Sequence, residues 1–376
     1  MKKQIYVGLA LLALSSCAKT EHSDASSECQ TITGYDNPIK SNGEGLNVEI
    51  AKTVKLETTK DNLLNGLVKV VVAQDSIIVL TDGNTVQSYN MDGHFRCKYG
   101  SKGNGAGDYV NMSGFYVNDK DEVVIIDNFR GSLMRFDIDG NFVADIDIEK
   151  PILNVVRDGL AIDNTKVLFN EYITESDNPL YALYDIADGK VVNEIGSPLR
   201  TSGVRETIGR NPMFRFGDEA HVLMPFSQFI YNSKGDSLYK FETGKKVLTA
   251  QQLGEIKEYG FLTLAGIYFN GDFVGFTDIY ETSTHLFCML SNLEYAIVDK
   301  SALTCQRYQY TSERKVPADD INPLVNIVGA HEDFIIGNLF YESMMVKDEV
   351  TEALMERWDC QTSEDANPVL IFYTVK

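Results

Sequence analysis

The chain has 376 residues, of which 44% are hydrophobic and 23% charged, so its composition excludes a disordered protein and is typical of a folded globular one. Its formal net charge is −20. Such a charge repels nucleic acid and anionic lipid headgroups, so neither is expected as a partner.

The first 16 residues have the regions of a bacterial signal peptide. Lys2 and Lys3 form the charged start, and residues 6–14 form an apolar run that is shorter than the roughly 20 residues needed to span a bilayer. The ending LSSC resembles a lipobox, whose cysteine, here Cys17, is acylated and becomes the first mature residue. Cleavage would leave 32 basic and 54 acidic residues, a net charge of −22. Ordinary secretory cleavage is the alternative.

Residues 17–45 are rich in Ser, Thr, Glu, Asp, Asn and Gly and lack a hydrophobic pattern. This composition predicts a flexible tether between the lipid and a single folded domain over residues 46–376. The five cysteines after Cys17 cannot all pair internally, being odd in number. A Cys288–Cys305 disulfide stays open, because spacing alone does not establish a pairing. The remaining three are Cys29, Cys97 and Cys360.

A hairpin pattern repeats along this domain. Each copy has an alternating strand, a polar turn that ends in glycine and a second strand, as expected where Asn, Asp and Gly accommodate positive φ. An aromatic residue precedes the turn at spacings of 47, 48 and 47 residues. The residues at this position are Tyr89, Phe136, Tyr184 and Tyr231, with weaker copies at Val298 and Tyr373.

A second hairpin precedes each of these copies. The preceding hairpins begin at residues 67, 114, 213, 266 and 326, and residues 152–170 form a less regular version. Four strands in about 47 residues are typical of a propeller blade. The six copies therefore predict an all-β fold, a six-bladed β-propeller of four-stranded antiparallel blades, expected to be a monomer.

The two ends of the domain are complementary. The sixth copy stops at Lys376 without its last strand, whereas residues 46–58 form a spare alternating strand before the first blade. We expect this strand to be the outer strand of blade six, beside the strand that contains Tyr373, because closure removes both open edges. The one segment with helical periodicity is residues 347–359, expected as a short helical insertion on blade six.

Residues 100–109, GSKGNGAGDY, combine four glycines with Lys102 and suggest comparison with a phosphate-binding loop. Such loops place Gly-Lys-Ser/Thr or a glycine fingerprint at the start of a helix, whereas a strand follows here. The segment is therefore interpreted as the connection from blade one to blade two. Gly105→Val is expected to destabilise the protein to the extent that Gly105 has a positive φ.

One polar position recurs just after the predicted second strand of the blades. Carboxylates and amides at this level could bind a cation or a sugar, or could fix the turn by accepting backbone N–H groups, which is the favoured interpretation. The weak ligand-binding candidates are Asp82, Asp127, Asp278 and Asn338, with Asn170 and Pro225 at the same position in two other blades.

Other apparent motifs are incomplete. HEDFI at 331–335 lacks the second histidine of a zinc motif, and DIDGN at 137–141 lacks the later ligands of a calcium loop. No catalytic residue, metal site or cofactor is therefore predicted.

Three segments resemble the six-bladed propeller lipoproteins common in Bacteroidetes. GSKGNGAGDY looks like their G-x-G-P-G-E-[YF] segment, with Ala106 in place of proline and Asp108 in place of glutamate. Residues 125–143 are similar to an NHL-type repeat, and residues 364–376 resemble the C-terminal segment of these lipoproteins. The resemblance implies a six-bladed fold and an outer-membrane lipoprotein facing the periplasm or the cell surface. It implies no particular activity.

Two classes of function fit this sequence. The first is a lipid-anchored binding platform for a glycan, a peptide or a protein partner, in contact with the membrane only through its lipid. The alternative is a metal-dependent hydrolase or lyase, similar to a lactonase, with axial Glu, Asp, Asn or His residues in the central channel. Fold alone does not decide between them.

Overall fold

The repeated hairpins form six four-stranded antiparallel blades around one axis, so the predicted six-bladed β-propeller is confirmed. The computed structural model describes residues 29–39, 48–82, 84–149, 156–171, 179–196, 211–247, 273–290, 294–309, 326–339, 356 and 366–375. Within these residues no helix is long and apolar enough to cross a membrane.

The strands of each blade run outward from the axis in chain order. Blade one has Leu67–Ala73, Ser76–Thr81, Val86–Asn90 and Phe95–Lys98. Blade two has Met112–Val117, Val123–Asp127, Ser132–Phe136 and Phe142–Asp147. Blade three has Val156–Ala161, Lys166–Glu171, Tyr181–Asp185 and Lys190–Ile195.

The second half of the ring follows the same order, except that the outer strand of blade six comes from the N-terminal part of the chain. Blade four has Met213–Phe216, Glu219–Leu223, Phe229–Tyr231 and Ser237–Phe241. Blade five has Phe276–Glu281, His285–Leu290, Glu294–Asp299 and Thr304–Gln309. Blade six has Ile327–His331, Phe334–Leu339, Val369–Val375 and Val48–Lys55. A short parallel pair, Ser101–Lys102 with Asp108–Tyr109, lies between blades one and two.

The repeated aromatic residue of the third strand lies opposite a β-bulge in the fourth strand. The pairing of the third and fourth strands shifts register at this residue in blades one, two, three, four and six. Blade five has Val298 at this position, and its third and fourth strands pair without a shift. The aromatic position therefore coincides with an added residue in the fourth strand, which locally increases the twist of that strand.

The hydrophobic core is divided among the seams between the blades. Each of six clusters of buried side chains joins two neighbouring blades, and the last one joins blade six to blade one. Because every blade buries both faces against its neighbours, the described residues form no single central core, and the ring depends on closure.

Closure occurs as the sequence predicts. Val48–Lys55 pairs antiparallel with Val369–Val375, with Ile50 opposite Tyr373. Val54 and Leu56 are buried in the seam between blades six and one. The N-terminal strand therefore supplies the outer strand of blade six.

The prediction of a flexible tether over residues 17–45 is wrong for its described part. Gln30–Ile32 adds a parallel fifth strand to the outer edge of blade four, and Pro38–Ile39 does the same on blade five. Ile32 and Tyr35 are fully buried in the seam between these blades. Two buried apolar side chains and backbone pairing with the blade edges hold this polar segment, and composition shows neither. Residues 17–28 and 40–45 lie outside the described residues.

Three further predictions concern blades five and six. Blade five begins later than expected, because its first two strands are Phe276–Glu281 and His285–Leu290. The first strand and turn of the hairpin expected at 266–278 lie outside the described residues. Of the helix expected at 347–359 only Glu356 is described, and it is helical. Cys288 and Cys305 are both buried and free, so the disulfide left open by the sequence is not formed.

Candidate functional site

The inner strands carry a β-bulge at a common level near their start. The first and second strands shift register just before Lys69, Gly114, Asp158, Asp278 and Gly329 in five of the blades. A bulge redirects the residues beside it. As a result, polar residues and glycines occupy equivalent positions of the inner strands around the channel of the propeller.

Lys69 and Asp158 connect the first three blades at this level. The Lys69 ammonium lies 2.6 Å from the Asp158 carboxylate of blade three and donates to the Phe115 carbonyl of blade two at 2.8 Å. The exposed fraction is only 14% for the Lys69 side chain and 9% for the Asp158 side chain. Gly114 of blade two makes room for this pair, because a Cβ there would lie 2.5 Å from an Asp158 carboxylate oxygen.

Asn211 and Tyr280 connect the other blades. The side-chain amide of Asn211, which precedes blade four, donates to the Val68 carbonyl of blade one at 3.2 Å and to the Tyr280 hydroxyl at 2.9 Å. The Tyr280 hydroxyl donates to the Ile327 carbonyl of blade six at 3.2 Å. Burial, and then the charge of Asp278, raise the pKa of Tyr280 well above its usual value, so the hydroxyl stays a donor.

We call Lys69, Asp158, Asn211 and Tyr280 the axial network. Each inner strand is the edge of its sheet, so its channel-facing carbonyls have no strand partner. The axial network supplies donors to three of these carbonyls. It therefore connects all six blades across the channel while satisfying backbone groups that would otherwise be buried without a partner.

A cavity of about 740 Å³ lies between the axial network and the turns that join the first and second strands of the blades. Three members of the network line one end and turn residues line the other. The walls are mainly apolar and include Val72, Tyr116, Leu160, Met213 and Phe214. This volume is within the roughly 300–1,000 Å³ of small-molecule sites.

Glu281 lies in the cavity wall at the seam between blades four and five. Its carboxylate accepts a hydrogen bond from Lys300 at 2.5 Å and lies 2.5 Å from Nδ1 of the buried His221. The Lys300 ammonium in turn lies 4.7 Å from the centre of the Phe216 ring. The Glu281 carboxylate is thus held within the wall by two blades.

The turns at the open end of the cavity form an acidic rim. Five of the six turns between the first and second strands carry carboxylates, and we call these eight residues the acidic rim: Asp75, Asp119, Asp121, Glu122, Asp163, Asp218, Glu332 and Asp333. Of these, Asp121, Glu332 and Asp333 line the cavity. The turn of blade five, residues 282–284, has no carboxylate.

The ligand-binding candidates from the sequence do not line this cavity. Asp127 is fully buried and accepts hydrogen bonds from four backbone N–H groups, those of residues 110, 111, 129 and 130. The Asn338 side chain accepts from the Asn326 amide at 2.8 Å. These contacts fix loops, as the favoured interpretation of the polar position expects.

Asp82 and Asp278 are the other two candidates. An Asp82 carboxylate oxygen packs against Gly66, where a Cβ would come within 2.8 Å of it. Asp278 does not follow a second strand, because it lies in the first strand of blade five and accepts from the Asn211 N–H at 2.7 Å. The structure thus places Asp278 beside the axial network. Cys17 lies outside the described residues.

Sequence analysis missed all four members of the axial network. Lys69 is a lone charge in the apolar strand LVKVVVA, and Asp158 follows an arginine in a similar strand, so each was visible as an anomaly. Their partners lie in other blades, however, and no local pattern identifies them. In the part of the chain that the structure describes, no group of three or more His, Cys, Asp or Glu could hold a metal ion.

Comparison with solved structures finds proteins similar to this chain. A protein of Bacteroides fragilis described as exported has a TM-score of 0.70 and 17% identity, covering 93% of this chain and 100% of its own. A member of the DUF4221 family from Bacteroides vulgatus has a TM-score of 0.48 and 8% identity, over 89% and 99% of the two chains. Virginiamycin B lyase from Staphylococcus aureus has a TM-score of 0.46 and 10% identity, over 88% and 100%.

Comparison with curated proteins finds no match. A family model described as a domain of unknown function, DUF4934, matches residues 34–374. This match begins within the N-terminal segment that packs on blades four and five and ends in the third strand of blade six, so it includes the whole propeller. The chain therefore belongs to the DUF4934 family.

Proposed function

We propose that this protein is a lipid-anchored component of the bacterial envelope that binds a glycan, a peptide or another protein through the central cavity of its propeller. The observation that carries the proposal is the cavity of about 740 Å³, which has an apolar wall, a polar end and a rim of turns that leads outward. Apolar walls with a few oriented polar groups are typical of binding sites.

Two further observations support the proposed location in the bacterial envelope. The sequence before the propeller has the pattern of a signal peptide and contains the LSSC segment that ends at Cys17. The similar protein from Bacteroides fragilis is described as exported. We therefore propose an outer-membrane lipoprotein, and Cys17→Ala should move the protein from the membrane to the soluble fraction and abolish labelling by fatty acid. Cys29→Ala is the matched control and should stay membrane-bound. Persistent lipid labelling of the Cys17 variant would contradict the anchor.

The binding proposal is tested by photocrosslinking in living cells. The photoreactive residue p-benzoylphenylalanine replaces Glu332, whose side chain is 73% exposed at the cavity mouth. The matched control replaces Val192, which is 43% exposed on the outer strand of blade three. We expect an adduct, identified by mass spectrometry, from position 332 alone. Equal adducts from both positions, or none from position 332, would contradict binding at the cavity.

A further inference from the structure

The acidic rim retains a negative charge after its ion pairs are counted. Glu122 pairs with Arg135 at 2.5 Å, Asp119 with Arg215 at 2.6 Å, and Asp163 with Lys166 at 3.2 Å. The same six turns contain one lysine, Lys120. Eight carboxylates therefore face four cations among the described residues, which leaves an excess of four negative charges around the mouth.

Polar neighbours orient two of the cavity-lining carboxylates without neutralising them. The Gln74 amide donates to Asp121 at 2.7 Å, and the Ser283 hydroxyl donates to Asp333. Glu332 lies 3.9 Å from the imidazole of His331, and its side chain is mostly exposed. Because carboxylates around an apolar cleft concentrate the field within it, the mouth attracts positive charge.

The carboxylates are distributed around the mouth rather than gathered at one point. They belong to five different blades, so a single small cation contacts only part of the rim. Below them, the inner strands present the unpaired edges of their sheets, which are suited to hydrogen bonds with another polypeptide. The apolar wall accepts a side chain without charge.

We propose that the cavity takes a basic peptide segment, in which an apolar side chain enters the cavity and flanking Lys or Arg residues contact the acidic rim. This inference rests on the proposed function, because it specifies the partner of the same cavity. It excludes anionic glycans and nucleotides as ligands of this mouth, since the rim repels them.

The test uses three capped synthetic peptides and the full mature chain. The first peptide has four Lys residues around a central Phe-Leu pair, the second has Gln in place of every Lys, and the third has Gly in place of Phe and Leu. Binding is measured by isothermal titration calorimetry at about 50 mM and about 300 mM salt. We expect the first peptide to bind at least about tenfold more tightly than either control, and its affinity to fall with salt.

Matched protein variants separate the effect of the rim carboxylates from the effect of the net charge of the protein. One variant combines Asp121→Asn, Glu332→Gln and Asp333→Asn, which keep the size of each side chain. The other combines Asp145→Asn, Asp147→Asn and Glu194→Gln, exposed residues on the outer strands of blades two and three. The two variants change net charge equally, and only the rim variant should weaken the first peptide about tenfold.

Each contrary result has a distinct meaning. Equal binding of the Gln peptide, or equal loss in both variants, would overturn recognition of charge by the rim. Equal binding of the Gly peptide would overturn insertion into the cavity, and no binding of the first peptide would overturn the inference as a whole. A photocrosslinked partner at position 332 without a basic segment would overturn it too, while leaving the proposed binding function intact.

Discussion

Asp108 closes the glycine loop between blades one and two. Its carboxylate accepts a hydrogen bond from the Ser101 hydroxyl at 2.6 Å and another from the Gly105 N–H at 2.9 Å, and these bonds hold its pKa below the usual value. In addition, Arg130 donates to the Gly103 carbonyl at 3.2 Å. A side chain of the protein therefore occupies the Gly105 N–H that a phosphate would need, in accord with a connection between blades.

Gly100→Ala should be the damaging substitution in this loop. Gly100 has a φ of +67°, and a Cβ there would lie 2.7 Å from the Gly107 carbonyl oxygen. Left-handed backbone plus this clash should cost about 1–3 kcal/mol, measured by denaturant unfolding. Gly105 is not among the glycines with positive φ, so the condition attached to Gly105→Val is not met.

Gly105→Ala and Lys102→Ala are the controls for this prediction. A Cβ at Gly105 would meet only the Asp108 carboxylate, at 2.9 Å, and a carboxylate can move. Both controls should unfold closer to wild type than Gly100→Ala, and ATP should stabilise none of the proteins. A stabilisation by ATP that depends on Lys102 would revive the phosphate-loop interpretation.

The N-terminal strands are the elements that complete the ring. Val48–Lys55 belongs to the ladder of blade six, whereas Gln30–Ile32 and Pro38–Ile39 lie outside the fourth strands of blades four and five. The segment therefore follows three successive blades before the chain enters blade one. The fourth strands of blades four and five are covered in this way, which removes sites for unwanted strand pairing.

Deleting residues 46–58 should destabilise the protein severely. The deletion removes the partner of Val369–Val375 and the buried Val54 and Leu56 from the seam between blades six and one. Circular dichroism should show a much lower melting temperature or loss of the cooperative transition. A milder variant, Val54→Ala, should cost about 1–3 kcal/mol. A deletion protein that melts like wild type would show that closure does not depend on this strand.

Tyr35→Ala should be nearly as damaging as a substitution in the core of a blade. The buried Tyr35 ring lies edge-on to Phe241 and Phe276, at 5.6 and 5.8 Å between centroids, and Arg307 lies 5.0 Å above it. Removing a buried aromatic ring costs about 3–5 kcal/mol.

Tyr35→Phe is the matched control, because it keeps the ring and its contacts. It should lose much less stability than Tyr35→Ala in the same chemical unfolding experiment. If Tyr35→Ala unfolds like wild type, the N-terminal segment is not part of the cooperative fold.

At the scale of the whole molecule, the axial network joins blades that the hydrophobic clusters connect only to their neighbours. The six hydrophobic clusters each join two blades, whereas Lys69 and Asn211 reach blades that are not adjacent to their own. The network also forms one end of the cavity. Stability of the ring and the shape of the proposed binding site therefore depend on the same side chains.

Asp158→Ala should cost more than the removal of both members of its ion pair. The single substitution leaves the Lys69 ammonium buried without its carboxylate, which costs about 3–5 kcal/mol. The double substitution Lys69→Met and Asp158→Leu removes both charges and should restore much of that loss. Both variants are compared with wild type by urea unfolding. Equal losses in the single and double variants would mean that packing, not charge, determines the effect.

The sequence by itself determined the architecture of the propeller. The alternation of the strands, the Asn, Asp and Gly of the hairpin turns, the repeated aromatic position and the spare strand at 46–58 are local features, and hairpins are formed by residues that are neighbours in the chain. From them follow six blades and the way the ring closes. The first hairpin of blade five was expected too early in the chain, because the sequence FNGD at residues 269–272 has the same composition as the hairpin turns.

Only the tertiary structure decided where the polar residues converge. Lys69 and Asp158 are 89 positions apart, and Asn211 and Val68 are 143 apart, so their contacts exist only once six separate hairpin pairs surround one axis. The added strands on blades four and five likewise depend on edges that form elsewhere in the chain. Hydrogen bonding within a hairpin is local and leaves a sequence pattern, whereas the cavity and its rim arise from the arrangement of the blades, which no single segment encodes.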